Sequence, residues 1–387
     1  MKTFVFFDLS LVGIKRYPLR LANALAQLEE GLNFVFLYDQ PEGESEEAVR
    51  RLLPANAVLR RVGGTSHRHL RDLLATYRPD NVIVMAQRLP DSALVASAKV
   101  LGISTIMVQH GLYVPFMRRE KRLFISQSRK TWRYVRYAKA IADARAANPL
   151  IYIRDYLRVF VKGRSIRETR IDRDFVNVDK VLVYGEHWKT YHEEVFGYRR
   201  DQQVVVGYPD LDDVAQVGAE PRLSEPCYIA QTLVEDGRLD RELMLRFVET
   251  LGSAMRNAGT TLRVKLHPRS DRSLYEALGD VAIFETTAFP HCKAYIGHYS
   301  SMLVKATFFS DKILLVDFPG HEVPDYIRRL SWATCSYRED MAPLVTEALD
   351  REVDEEKVAR NVTAQAPYFA HAPEGAITSA AKAILTK

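Results

Sequence analysis

Three short runs in the second half of the chain carry residue types suited to transfer from an activated phosphate: Glu235-Asp236-Gly237, His267-Pro268 and Ser300-Ser301. Displacement at a sugar carbon by an acceptor hydroxyl needs a base to take the hydroxyl proton. Two adjacent carboxylates on a turn permitted by Gly237 can supply it, because a charged neighbour and partial desolvation both raise a carboxyl pKa. Asp236 is placed ahead of Glu235 for that role, and an ordinary surface turn is the alternative. In Lys265-Leu266-His267-Pro268 the proline stops a strand, so His267 points past the strand end. An imidazole there can donate to a phosphate oxygen or, protonated, neutralise a departing nucleotide phosphate. Lys265 shares its face two residues earlier; the alternative is a cap for the helix expected from Ser270. Ser300-Ser301 lie between a strand and a helix start, where free N–H groups and two hydroxyls suit an anion. An ordinary N-cap has the same appearance. His298, two residues before the serines, is a further nucleotide-side candidate. His110, before Gly111 at another strand end, could position donor or acceptor or serve only the structure.

The elements that must position these residues are legible as alternating strands and helices. Up to His110 the chain gives strands at KTFVFFDL, NFVFLYD, AVLRRVG, NVIVMAQ and STIMVQ. Helices are expected over Arg16–Leu28, from Glu44, over His67–Tyr77 and over Ser92–Leu101. Short apolar strands separated by helices make a parallel sheet. The pattern resumes at KVLVYG, a helix over Glu186–Phe196, and QVVVGYP. A second series follows: CYIAQ, a helix over Leu239–Ala258, TLRVKLHP, VAIF, KAYIGHYSS and KILLVDFPG, with helices over Met302–Phe309, Met341–Leu349 and Glu374–Leu385. The expected fold is α/β with two doubly wound, Rossmann-like domains, 1–205 and 206–387. The site belongs in the cleft that their strand ends face.

The acidic pair with glycine, the HP and the serine pair resemble the signature of bacterial sialyltransferases, including the lipooligosaccharide and polysialyltransferase families. The spacing from Glu235 to His267, and from His267 on to Ser300, is more similar to the lipooligosaccharide group. The resemblance implies a GT-B fold and an inverting, metal-independent transferase using a CMP-linked nonulosonate. It places the base on Asp236 or Glu235, the leaving cytidine monophosphate on His267, and its phosphate on Ser300 and Ser301. Gln109-His110-Gly111 and Gly207-Tyr208-Pro209 are similar to motifs of capsule-polymer transferases, which opens Kdo or CDP-glycerol as the donor. A UDP-GlcNAc 2-epimerase-like isomerase and a catalytically dead scaffold are the remaining alternatives.

Composition is that of a globular protein, 47% hydrophobic and 27% charged over 387 residues. Three widely spaced cysteines, Cys227, Cys292 and Cys335, suit a reducing compartment and suggest neither a disulfide framework nor a zinc site. Asp210, Asp212 and Asp213 lack a partner motif, which is compatible with the metal independence that the resemblance implies; no cofactor is expected. The N-terminus lacks the long apolar core of a signal peptide, and no run of 18 apolar residues occurs. The expectation is a cytoplasmic protein.

Charge is uneven. Residues 117–173 hold 17 Lys/Arg against 5 Asp/Glu, a surplus of 12 inside a chain of net +5, so the remainder carries −7. Trp132, Tyr134, Tyr137, Tyr152, Tyr156 and Phe160 interleave with those arginines, as on a basic helical insertion that sits on anionic lipid; a plain solvated helical pair and a nucleic-acid surface are the alternatives. The expected partners are a nucleotide-sugar donor, a glycan acceptor that membrane contact would allow to be lipid-linked, and the inner membrane face, with no nucleic acid.

Overall fold

A computed structural model describes residues 2–40, 45–109, 111, 128–162, 177–235, 237–267, 269–285, 288–320 and 323–386. The chain divides into two compact units, passing to the second after Pro209 and returning to the first at Ala370.

The first unit is built on seven parallel strands: β1 (Thr3–Ser10), β2 (Asn33–Gln40), β3 (Ala57–Arg61), β4 (Asn81–Val84), β5 (Ser104–Val108), β6 (Lys180–Val183) and β7 (Gln203–Val205). Their order is β3-β2-β1-β4-β5-β6-β7. Alternation of polar and apolar residues is absent from β1 and β2 because both faces are covered: Phe4 to Phe7 and Phe34 to Tyr38 are all buried. Phe6 and Phe36, neighbours in register, stack with centroids 5.4 Å apart.

The helix expected over Arg16–Leu28 is instead two, Leu11–Arg16 and Pro18–Leu28. Pro18 has no N–H to continue the first and occupies the first turn of the second, where none is needed. Helices over His67–Tyr77 and Glu186–Phe196 fall where the sequence places them. Ser66 caps the former by accepting from the His69 N–H, and Gly197, at φ 69°, ends the latter.

The second unit, Asp210–Phe369, holds six parallel strands: β8 (Cys227–Ile229), β9 (Leu262–Lys265), β10 (Ala282–Glu285), β11 (Tyr295–Gly297), β12 (Ile313–Asp317) and β13 (Ala333–Ser336). Their order is β10-β9-β8-β11-β12-β13. Helix Arg241–Asn257 buries Met244, Phe247, Val248, Leu251 and Met255 on one stripe against this sheet's core. The edge strand β13 and helix Glu355–Gln365 are additions to what the sequence pattern predicts.

The C-terminal helix, Ala376–Leu385, joins the first unit, whereas the sequence division at 206–387 puts it in the second. Ile377, Ala380, Ala381 and Ile384 complete the core that contains Leu21, Ala22 and Leu25. Lys180 Nζ donates to the carbonyls of Ala383 (2.9 Å) and Thr386 (2.6 Å), neutralising the helix end.

Between β5 and β6 the basic region supplies two helices, Ser128–Ala144 and Pro149–Lys162. Tyr137 and Tyr152, expected on a lipid-facing surface, are buried at 1% and 3% exposure, whereas Trp132 is 61% exposed. Aromatics at helical spacing mark one face, and here much of that face packs on protein. Residues 117–127 and 163–173 of the basic region, and the side chains of Tyr156 and Phe160, lie outside what is described. No described helix is long and apolar enough to cross a membrane.

His192, on the helix Glu186–Phe196, is fully buried and hydrogen-bonds through Nδ1 to the Trp188 carbonyl (2.8 Å). Burial depresses its pKa from 6.5 to about 4. Since the folded value lies below the unfolded one, its contribution is present above about pH 6.5 and is lost as pH falls towards 4, about 3 kcal/mol in all. Melting temperature should fall across that window in the parent and fall less in His192→Gln. A second test concerns Gly13, where an added Cβ would lie 2.1 Å from Asp8 Oδ1. Gly13→Ala is expected to cost about 2 kcal/mol by denaturant melting. Gly218→Ala, whose Cβ meets only Phe309 at 3.7 Å, should not destabilise.

Candidate functional site

In the second sheet the chain runs outwards from β8 through β9 to β10, then returns to add β11, β12 and β13 on the other side. The reversal lies between β8 and β11. Loops leaving adjacent strands there diverge to opposite faces, opening a crevice at the carboxyl ends. The Glu235–Gly237 turn follows β8, His267 follows β9, and Ser300-Ser301 follow β11. Three motifs far apart in sequence therefore leave three neighbouring strands, β9-β8-β11, at one end of the sheet.

Hydrogen bonds join the first two loops. Asp271 N–H donates to Glu235 Oε1 (2.7 Å), and Arg269 Nη2 donates to Thr232 Oγ1 (3.2 Å). Glu235 Oε2 is buried and has no hydrogen-bond partner among the described residues. Burial, then the charge of Glu235, raises the Tyr275 phenol above its ordinary range. Glu235 thus ties the β8 loop to the β9 loop. Gly237 is exposed at φ 65°, a left-handed turn position that favours glycine, with its N–H on Val234 O (2.9 Å). Asp236 lies outside the described residues.

His267 is held on three sides. Its N–H donates to Ser270 Oγ (3.2 Å), its carbonyl accepts from Ser270 N–H (2.9 Å), and its Nδ1 accepts from Arg269 N–H (3.1 Å). An Nδ1 that accepts cannot carry the ring proton, so the neutral ring is protonated at Nε2. Pro268 lies outside the described residues. Lys265 is half-buried at the end of β9; burial holds its ammonium below the ordinary lysine value, and Lys305 pushes the same way.

Ser300 Oγ accepts from Met302 N–H (3.1 Å), capping the short helix Ser301–Ala306, and Ser301 is its first residue. Lys305, 3% exposed, lies over the Phe289 ring and pairs with Asp213, which fixes that helix from below. His298 is a core residue rather than a lining one. It is 2% exposed, hydrogen-bonds through Nδ1 to Val316 O (2.6 Å), and packs edge-on against Phe318.

Sequence reasoning missed the arginines that follow two of the motifs, Arg238 after Gly237 and Arg269 after Pro268. Arg238 Nη1 donates to Tyr299 OH (3.0 Å), and Tyr299 N–H donates to Gln231 Oε1 (3.3 Å), linking the β8 and β11 loops. Their position beside the motifs was the available signal.

In the first unit a comparable reversal separates β1 from β4. There Arg88 binds Asp91 through Nε (2.6 Å) and Nη2 (3.0 Å), with Asp8 Oδ2 3.6 Å away. Asp8 and Asp91 are both buried, and burial raises the Asp91 carboxyl pKa. Gly13, in the helix Leu11–Arg16 that follows β1, packs against Asp8, which explains a glycine there. Glu186 forms surface pairs with Lys189 (2.9 Å) and Arg200 (3.0 Å). His110 lies outside the described residues. Among the described residues no group of three or more His, Cys, Asp or Glu is placed to hold a metal ion, and the three cysteines are buried thiols.

No protein-family model matches the chain, and no curated protein matches it in sequence. Solved structures do. The Neisseria meningitidis UDP-GlcNAc 2-epimerase bound to UDP-GlcNAc has a TM-score of 0.59 at 11% identity, covering 100% of both chains. The UDP complex of MnaA from S. aureus gives 0.56 at 12%, over 98% of this chain and 94% of that one. A UGT transferase from Siraitia grosvenorii in complex with UDP gives 0.52 at 11%, over 99% of each. Likeness at such identities carries the fold alone: the chain has the GT-B architecture of two Rossmann-like α/β domains with parallel sheets.

Proposed function

We propose that this protein is an inverting glycosyltransferase that moves a nonulosonate from a CMP donor to a surface glycan acceptor. The observation that carries the reading is His267: at the end of β9, next to β8, an N–H from its own loop reaches Nδ1, so the neutral ring carries its proton on Nε2. A ring so fixed suits protonation of a departing phosphate oxygen. Asp236 takes the acceptor hydroxyl proton, the acceptor oxygen bonds to the anomeric carbon, and the bond from that carbon to the phosphate oxygen breaks. The electron pair leaves on cytidine monophosphate, and His267 Nε2–H donates to it. Ser301 and the Ser300 hydroxyl hydrogen supply neutral donors to the same phosphate. Glu235, whose Oε1 is spent on Asp271 N–H, positions the loop rather than acting as base. Lys265 adds positive charge behind the phosphate. No metal takes part in this scheme, and the same residues also admit Kdo or CDP-glycerol as donor.

The 17 Lys/Arg of residues 117–173 and the exposed Trp132 support a peripheral site on the inner face of the cytoplasmic membrane, where a lipid-linked acceptor would be met. One second reading has an observation in its favour: full-length likeness to UDP-GlcNAc 2-epimerases fits a nucleotide-sugar isomerase that needs no acceptor.

A donor panel separates these readings. CMP-N-acetylneuraminate, CMP-Kdo, CDP-glycerol and UDP-GlcNAc are each followed for thermal stabilisation and for slow hydrolysis or isomerisation. The expected result is stabilisation and CMP release with the CMP-nonulosonate. Release falls about 100-fold or more in His267→Ala and in Asp236→Asn, and about tenfold or less in Glu235→Gln. Conversion of UDP-GlcNAc to its epimer would overturn the transferase reading. Separately, sedimentation with phosphatidylserine vesicles should exceed that with phosphatidylcholine vesicles and weaken in about 0.5 M salt.

A further inference from the structure

We infer that Arg238 is the cationic clamp for the donor's phosphate, held in place by the hydroxyl of Tyr299. The inference rests on the transferase reading and extends it to a residue outside the three motifs. Arg238 is exposed at the end of the glycine turn after β8, and Tyr299 is a buried residue immediately before Ser300 at the end of β11. The bond between them, Nη1 to OH at 3.0 Å, spans the two strands on either side of the chain reversal. Among the described residues Arg238 has no carboxylate partner, in contrast to nearby Arg241 and Arg263, which pair with Asp271 and Glu285.

The choice of partner matters chemically. A carboxylate would both orient and neutralise a guanidinium. A phenol orients it and leaves its charge intact. Tyr299 is itself fixed, 4% exposed, with its N–H on Gln231 Oε1 and its ring against His298 at 4.7 Å between centroids. Little side-chain entropy is then left to lose when an anion arrives. The planar guanidinium retains N–H groups beyond the one given to Tyr299, and an oxyanion can accept two of them in parallel. Its neighbours decide the anion. Ser300 adjoins Tyr299 in sequence, and His267 leaves the strand on the other side of β8. A phosphate whose leaving oxygen meets His267 Nε2 would present its remaining oxygens to the serines and to Arg238. Charge from Arg238 would then stabilise the nucleotide both as part of the donor and as it departs.

The test uses the full chain and the variants Arg238→Gln, Arg238→Lys and Tyr299→Phe, each first checked by circular dichroism and melting temperature. Titration calorimetry is run with CMP against cytidine, UDP against uridine, inorganic pyrophosphate, and free N-acetylneuraminate. Arg238→Gln is expected to weaken the phosphate-bearing member of the responding pair about tenfold or more and leave its nucleoside unchanged. Arg238→Lys should lie between, because it keeps the charge and loses the fork. Tyr299→Phe should weaken it about threefold, with melting temperature nearly unchanged. Equal binding in parent and Arg238→Gln overturns the inference. So does an equal loss for nucleoside and nucleotide, or a loss confined to N-acetylneuraminate, which would assign the arginine to the sugar carboxylate. If the parent takes UDP and not CMP, the donor assignment falls while a loss in Arg238→Gln still supports the clamp. If only pyrophosphate binds and that binding is lost in Arg238→Gln, the anion site stands and the nucleotide reading falls. A parent that takes none of the phosphates removes both.

Discussion

Parallel pairing of β8 with both β9 and β11 is the constraint on which the candidate site depends. β11 reaches the free edge of β8 only after the chain has run out through β10 and come back. Strands on the two sides of β8 therefore send their loops and helices to opposite faces, and the space between them is left to side chains and ligand. Backbone hydrogen bonds fix the strand ends to within a residue: Ile229 is opposite Lys265, and Tyr228 is opposite Ile296. A histidine two residues beyond Lys265 and a serine three beyond Gly297 are placed by that ladder before any side-chain contact is made. Pairwise bonds then tighten what the ladder has already brought together. Asp271 N–H on Glu235 and Arg269 on Thr232 join the β8 and β9 loops, and Arg238 on Tyr299 joins the β8 and β11 loops.

Much of this architecture is legible from residues in order. β1 and β2 are apolar runs too long and too β-branched or aromatic for a surface strand, and they emerge buried on both faces. His67–Tyr77 and Glu186–Phe196 can be placed to the residue because Ser66 and Gly197 punctuate them, and those signals are local. What escapes the sequence is non-local or lacks amplitude. β13 has the burial of an edge strand, with only Cys335 buried, so it shows no apolar run. Helix Glu355–Gln365 is mostly polar, with a cap, Asp354, as its clearest signal. The allegiance of Ala376–Leu385 is decided by a complementary stripe on Pro18–Leu28, near the opposite end of the chain, and no window of sequence contains both.

The same distinction governs the candidate site residues. His267 is identifiable because its neighbour is proline and its strand is apolar, two facts that lie close together in sequence. His192 and His298 carry no such context. Each sits between polar or aromatic neighbours, and only packing shows that each ring is buried with Nδ1 on a carbonyl, Trp188 O and Val316 O respectively. Sequence ranks Asp236 ahead of Glu235 as base but cannot assign either carboxylate a partner. Asp271 N–H provides that assignment for Glu235.

Charge in the two switch regions is handled in opposite ways, and the contrast bears on what each region can do. At the β1/β4 reversal the guanidinium of Arg88 is enclosed by two buried carboxylates, Asp8 and Asp91, with two bonds to the latter. Such a group is committed: drawing Arg88 away to a ligand would strand Asp91, at the cost of an unpaired buried charge. It therefore stiffens the strand ends and the short helix that holds Gly13 beside them. At the β8/β11 reversal, Arg238 is held instead by a phenol, which orients the guanidinium without cancelling its charge. A neutral partner preorganises a cationic group without consuming its charge, which is the condition for electrostatic stabilisation of an anion. By that criterion the first reversal is committed to rigidity, and the second keeps the uncancelled charge that the proposed anion site requires.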